Sequence, residues 1–194
     1  MTWEELLVSL SKLIHERVES NMRYYDYLDV ENNWLGFTPA SSKAIENKER
    51  ELGIKFPKSY IEFLGVTNGF RQISLFSGHL LPIEQVGRLK DIDRSLYDVY
   101  LGEENDILTD IRYDDYSNAQ RSEFFRIDHL LESIAVSRNV DGSIVLLNPK
   151  KEFDDECEAW LYASWYPGAH RFKSFRELME HEYRSTLGVM NKEV

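Results

Sequence analysis

Trp34-Leu35-Gly36-Phe37-Thr38-Pro39-Ala40, continuing through Glu51-Leu52-Gly53-Ile54-Lys55-Phe56-Pro57-Lys58-Ser59-Tyr60-Ile61-Glu62-Phe63-Leu64 to Thr67-Asn68-Gly69, reads as two capped helices in succession, with aromatic anchors at their joints. Thr38-Pro39 reads as an N-cap followed by proline at the first helical position, where the missing N–H costs nothing. The first helix is expected to end at Leu52, with Gly53 as a left-handed C-cap. The second starts at Phe56-Pro57, buries Tyr60, Ile61, Phe63 and Leu64, and ends at Asn68-Gly69, a pair that turns the chain toward a strand.

Upstream, Trp3, Leu6, Leu7, Leu10, Leu13, Ile14 and Val18 recur at three- and four-residue steps, one apolar stripe on a helix that fades near Asn21. Downstream the period falls to two. Gln72–Phe76 and Leu80–Ile83 read as short strands around Ser77-Gly78. Ile134–Ser137 and Ser143–Leu147 flank Asp141-Gly142, a strong hairpin signal. Asn148-Pro149-Lys150-Lys151 and the acidic run Glu152–Glu156 read as the next turn, and Ala159–Trp165 as another strand. Ser174-Phe175-Arg176-Glu177 is a capping box opening a helix that buries Phe175, Leu178, Met179 and Tyr183.

Helices at both ends around strands joined by short turns predict an α+β fold with a mainly antiparallel central sheet and flanking helices. No Gly-rich phosphate loop and no βαβ alternation argues for a nucleotide-binding sheet. Residues 1–30 read as a helical arm forming one unit with an α+β domain over 31–188, and 189–194 as a tail.

The 194 residues, 22.9 kDa, are enough to bury about 70% of the unfolded surface. The hydrophobic content of 42% and charged content of 29% are those of an ordinary globular protein. The single Cys157 excludes a disulfide framework and suits a reducing compartment. No run approaches the ~20 apolar residues of a membrane helix, and Met1-Thr2-Trp3-Glu4-Glu5 is acidic where a secretory leader is basic. A cytoplasmic protein is expected.

The net charge of −11 argues against nucleic acid as a partner, because phosphate binding needs clustered Lys and Arg. Between Asp91 and Asp115 lie nine acids (Asp91, Asp93, Asp98, Glu103, Glu104, Asp106, Asp110, Asp114 and Asp115) against Arg94 and Arg112. The same segment carries Tyr97, Tyr100, Tyr113 and Tyr116. Tyrosine gives large contact area at low entropic cost and is enriched among interface anchors. The segment thus has two readings: the rings dock a solvated stretch onto the sheet, or acids and tyrosines together form a protein-binding face.

Catalytic and metal signals are weak. Cys157 sits among Asp154, Asp155, Glu156 and Glu158, which disfavour a thiolate. No two of His15, His79, His129, His170 and His181 have zinc-helix spacing, and His181-Glu182 lacks a partner. Asp91-Ile92-Asp93 resembles the start of a calcium loop, but the required Gly and terminal Glu are misplaced. Paired carboxylates in one solvated segment share one environment, which does not separate an acid from a base. No cofactor is expected.

The aromatic-Gly-aromatic lead-in at Trp34-Leu35-Gly36-Phe37, the helix end Glu49-Arg50-Glu51-Leu52-Gly53, the Phe56-Pro57…Tyr60…Phe63-Leu64 stretch and Asn68-Gly69 together resemble the opening of the SUKH superfamily, the Smi/Knr-like proteins. A second match comes later in the chain, in order: Leu146-Leu147-Asn148-Pro149, Glu158-Ala159-Trp160, Trp165-Tyr166-Pro167-Gly168-Ala169 and Ser174-Phe175. Together they span roughly residues 34–185. The resemblance implies a single α+β domain without catalytic residues, in which Trp34, Phe37, Tyr60, Phe63 and Trp160 are core and Gly36, Gly53 and Gly69 are turns. Bacterial members look like immunity proteins that bind toxin domains, often nucleases; fungal members look like regulators with long flanks absent here. The expected partner is thus a toxin domain, perhaps a basic nuclease, met by the 91–116 segment or by the second acidic run, Glu152–Glu158. The alternative is a regulatory or scaffold module binding endogenous proteins.

Overall fold

The computed structural model describes residues 1–21, 33–74, 78–103, 110–117, 119–165 and 168–190. The end of the expected arm and the last four residues of the tail lie outside them.

Helix α1 (Trp3–Asn21) carries the predicted stripe: Trp3, Leu6, Leu7, Leu10 and Ile14 are buried and Leu13 is partly so. Helix α2 spans Ser42–Leu52 and ends at Gly53, in the left-handed region at φ 67° as expected. Its N-cap is Ser41, whose hydroxyl accepts Ala44 N–H at 3.2 Å, and not Thr38. The backbone around Thr38 is committed elsewhere, because Ala40 N–H donates to Leu64 O and Asn68 N–H donates to Thr38 O. Tertiary hydrogen bonds outcompete the local cap.

Helix α3 (Lys58–Leu64) buries Tyr60, Phe63 and Leu64, whereas Ile61 is exposed. It stops at Gly65, before Asn68-Gly69. Gly69 has φ 91°, and a Cβ there would sit 2.8 Å from Leu80 O, so only glycine fits this turn. Gly36 is no turn: it bridges Phe70 in antiparallel fashion with the Trp34 ring against it.

The strands expected at 72–76 and 80–83 do not form among the described residues; Leu75–Ser77 lie outside them. Phe70 and Leu80 exchange one pair of hydrogen bonds, and Leu81 N–H donates to Val136 O. Pro82 has no N–H to continue a ladder, and a 3-10 turn comes next at Ile83–Gln85. The apolar alternation here marks burial, not pairing.

The sheet is an antiparallel meander of β1 (Gly87–Arg88), β2 (Ile134–Ala135), β3 (Ser143–Phe153), β4 (Glu156–Ala163) and β5 (Ala169–Phe172), ordered as in the chain. The β2–β3 hairpin turns at Asp141-Gly142 as predicted. Both have positive φ (49° and 83°), the type I′ geometry, and Val140 and Ser143 exchange hydrogen bonds of 2.9 Å. Residues 148–153, expected as a turn, extend β3 instead. Pro149 cannot donate, and the register shift between Asn148 and Glu152 absorbs it as a bulge. The turn itself is Asp154-Asp155, with Asp154 at φ 52°. β5, not anticipated as a strand, closes one edge. Beyond it Ser122 O accepts Ala169 N–H, and the Gln120 amide both accepts Arg171 N–H and donates to Arg171 O, each at 2.9 Å.

Alternation along the strands sorts two cores. Val145, Leu147, Cys157, Ala159 and Leu161 face a layer containing α1, α3 and α8 (Phe175–Met190). Ile144, Leu146, Trp160 and Tyr162 face the opposite layer. That second layer is built from the acidic segment and the residues after it: α4 (Leu89–Ile92), α5 (Arg94–Tyr100), α6 (Asp110–Tyr113) and α7 (Ile127–Glu132). The helix α8 box holds through Ser174 Oγ accepting Glu177 N–H, with Glu177 reaching Lys173 N–H.

Candidate protein-binding face and the polar cluster beneath it

The acidic segment is helical over much of its described length. Asp93 makes the elbow between α4 and α5: its Oδ1 accepts Leu96 N–H at 3.0 Å and its Oδ2 accepts Asn139 Nδ2–H at 2.6 Å. Leu89 and Leu96 are buried against Trp160 and its neighbours, which fixes the other face of α5 toward solvent.

The candidate partner-binding residues take several roles. Asp91, Asp98 and Glu103 are exposed, and Asp98 pairs with Arg94 at 2.8 Å. Asp114 pairs with Lys151 at 2.7 Å. Asp115 accepts Ser117 N–H, and the Ser117 hydroxyl and amide hold its carboxyl below the ordinary value. Glu104 and Asp106 lie outside the described residues, as does the side chain of Asp110. Tyr97 is half-buried beside the Arg94 guanidinium. Tyr100 turns inward, its hydroxyl 3.0 Å from that of Tyr162 and its ring edge-on to Phe125. The exposed positions flanking it are apolar: Val99 is 66% and Leu101 54% exposed.

Tyr113 and Tyr116 lead to a polar cluster that sequence reasoning did not assemble. The fully buried Glu158 carboxylate accepts Tyr113 Oη–H at 2.5 Å, Tyr116 Oη–H at 2.7 Å and Asn148 Nδ2–H at 2.7 Å. Asn148 Nδ2 is also 2.9 Å from His129 Nδ1. The buried Arg171 guanidinium lies 3.5 Å from Glu158. It donates through Nη1 to Tyr113 O and through Nη2 to Asp115 O, and lies 4.5 Å from the Tyr113 ring centroid. Burial, then the Glu158 charge, pushes both phenols far above their ordinary values, so they stay protonated donors. Burial holds the His129 imidazole below its ordinary value.

A buried acid with its lone pairs filled and its cation alongside is a clamp, not a reactive group. It ties α6 and the residues after it to β4 and β5. Its sequence signal was present but faint: Glu158 lies two residues from Trp160 on β4, Arg171 pairs with Trp160 from β5, and both charges sit next to apolar strand positions. Cys157 is buried on the other sheet face, its thiol pushed up to about 12 by burial and then by Glu156, Glu158 and Glu152. At pH 8 it should therefore resist thiol reagents in the folded protein and label promptly in denaturant. Rapid native-state labelling would show a more open β4. Among the described residues, no group of three or more His, Cys, Asp or Glu could hold a metal ion, and no helix is long and apolar enough to cross a membrane.

These features define an α+β domain with a meander sheet between two helical layers. The SMI1/KNR4 family (SUKH-1) profile matches residues 39–181, most of the chain, and the chain belongs to that family. No curated protein matches it.

Proposed function

We propose that the chain is a non-enzymatic, cytoplasmic protein-binding domain that acts as an immunity protein, neutralising a basic toxin domain by direct contact. The family contains immunity proteins, typically binds protein partners and is generally non-catalytic. The observation that carries the reading onto a surface is α5. Val99 at its end and Leu101 just past it are exposed between the acids Asp98 and Glu103, while Tyr100 between them packs inward. Apolar anchors with a charged rim are the composition of a protein interface.

Acids at such a rim steer a cationic partner and chiefly raise the association rate, whereas buried anchors set dissociation. Neutralising Asp91, Asp98 and Glu103 together is expected to slow association with the toxin encoded beside this chain by about tenfold at low salt, and to flatten the salt dependence. Val99→Ala with Leu101→Ala is expected to speed dissociation by about tenfold. Co-expression should rescue cells bearing that toxin, and the double alanine variant should rescue poorly. Unchanged rates in both variants would move the interface off α5. Failure of rescue by the unaltered chain would remove the immunity role itself.

A further inference from the structure

A groove of about 750 Å³ opens on the other side of the sheet layer from α5. One wall is the joint between α2 and α3, where the left-handed Gly53 sends the chain across Ile54–Pro57 before α3 begins. The other wall is the end of β3, from the Pro149 bulge on, with the β3–β4 turn. The walls are tied at one end: Lys58 N–H donates to Asp155 O at 2.9 Å, and the Glu156 carboxylate accepts the Ser59 amide and hydroxyl at 2.8 and 2.6 Å. The groove is therefore a fixed feature of the fold.

Its lining is divided by chemistry. The partly exposed Ile54 and Pro149 supply apolar surface over the buried Phe56 and Pro57, and Ile61 on α3 is 38% exposed at the rim. Among the described residues the carboxylates of Glu62, Glu152, Asp154 and Asp155 make no hydrogen bond or ion pair. Of the two lysines that line it, Lys55 is bound to Glu49 at 2.6 Å, which leaves Lys58, among the described residues, as the one uncommitted ammonium against four uncommitted carboxylates. Such a volume is in the range of ligand sites, and its charge repels nucleic acid and acidic peptides.

We infer that this groove takes an extended, cationic segment of a partner protein, with an apolar side chain against Ile54 and Ile61 and an Arg or Lys reaching the Glu152–Asp155 turn. It is a second surface, independent of α5, and stands whether or not the α5 face binds a toxin. The occupant follows from the charge: unpaired acids over apolar surface reward a side chain with an aliphatic stem and a cationic head.

The test titrates isotope-labelled protein with a capped octapeptide of alternating Arg and Leu, alongside Arg–Gly and Glu–Leu octapeptides, tracking backbone amide shifts. The Arg–Leu peptide is expected to move amides of residues 53–62 and 149–157. Glu62→Lys with Glu152→Lys and Asp155→Lys should weaken it at least tenfold. Should the triple variant fold poorly, Ile61→Ser, a single exposed change, is expected to give the same direction of loss. Shifts confined to other residues, equal affinity for the Arg–Gly peptide, or undiminished binding by these variants would overturn the inference.

Discussion

Replacing Trp160 by alanine is expected to destabilise the protein by about 3–5 kcal/mol, a large-to-small change at a fully buried aromatic. For a chain of this size that is a fall in Tm of roughly 10 °C. Trp160 pairs across the ladder with Leu146 and Arg171, which cannot collapse into the space without breaking β-pairing, and Phe125 stands edge-on at 6.1 Å. Its indole Nε1 makes no hydrogen bond among the described residues. Trp160→Phe should therefore cost much less, because it removes a buried donor that has no acceptor while keeping a ring. An unaltered melting temperature in Trp160→Ala would place the residue outside the core.

Removing the cation of the buried clamp should be comparably severe. Arg171→Met keeps much of the volume but leaves the Glu158 carboxylate buried without its counter-charge and frees the carbonyls of Tyr113 and Asp115. Breaking one side of a buried pair typically costs about 3–5 kcal/mol. The second change Glu158→Gln, which removes the stranded charge, should recover part of that loss, and this recovery distinguishes a clamp from mere packing. Hydrogen exchange reports where the loss falls: the amides of residues 113–117 should lose protection before those of β3 and β4. If Arg171→Met alone melts like the parent, the ion pair contributes nothing and the segment is held by its tyrosines.

Much of this fold was legible in the chain. The Asp141-Gly142 hairpin, the Gly53 C-cap, the stripe of α1 and the Ser174 box each rest on local geometry that a few adjacent residues determine. Helices α4 to α7 were not legible, because elements of four to seven residues span too few turns to show a period. Their stability comes from docking Leu89, Leu96, Tyr113 and Leu130 onto the sheet. The Pro149 bulge misled for a related reason: proline and two lysines look like a turn, yet a register shift lets the strand run on. The candidate site was half visible. Its acids could be counted, but their commitments could not: Asp93 to an elbow, Asp98 to Arg94, Asp114 to Lys151. The clamp was hidden because Tyr113, His129, Asn148, Glu158 and Arg171 come from separate elements that meet only after the meander closes.

The Gln120 side chain beside β5 bears on how copies of the protein behave when crowded together. A terminal strand with open N–H and C=O groups is a template for another chain's strand, and native proteins blunt such edges. Here one carboxamide imitates a strand residue, engaging both backbone groups of Arg171. Together with the Ser122 carbonyl on Ala169 N–H, this side chain, which a single base change can remove, blocks the β5 edge. Gln120→Leu would keep the bulk and reopen the ladder, inviting edge-to-edge stacking between molecules, and with it filament growth or precipitation on concentration, while the fold of each molecule stayed intact.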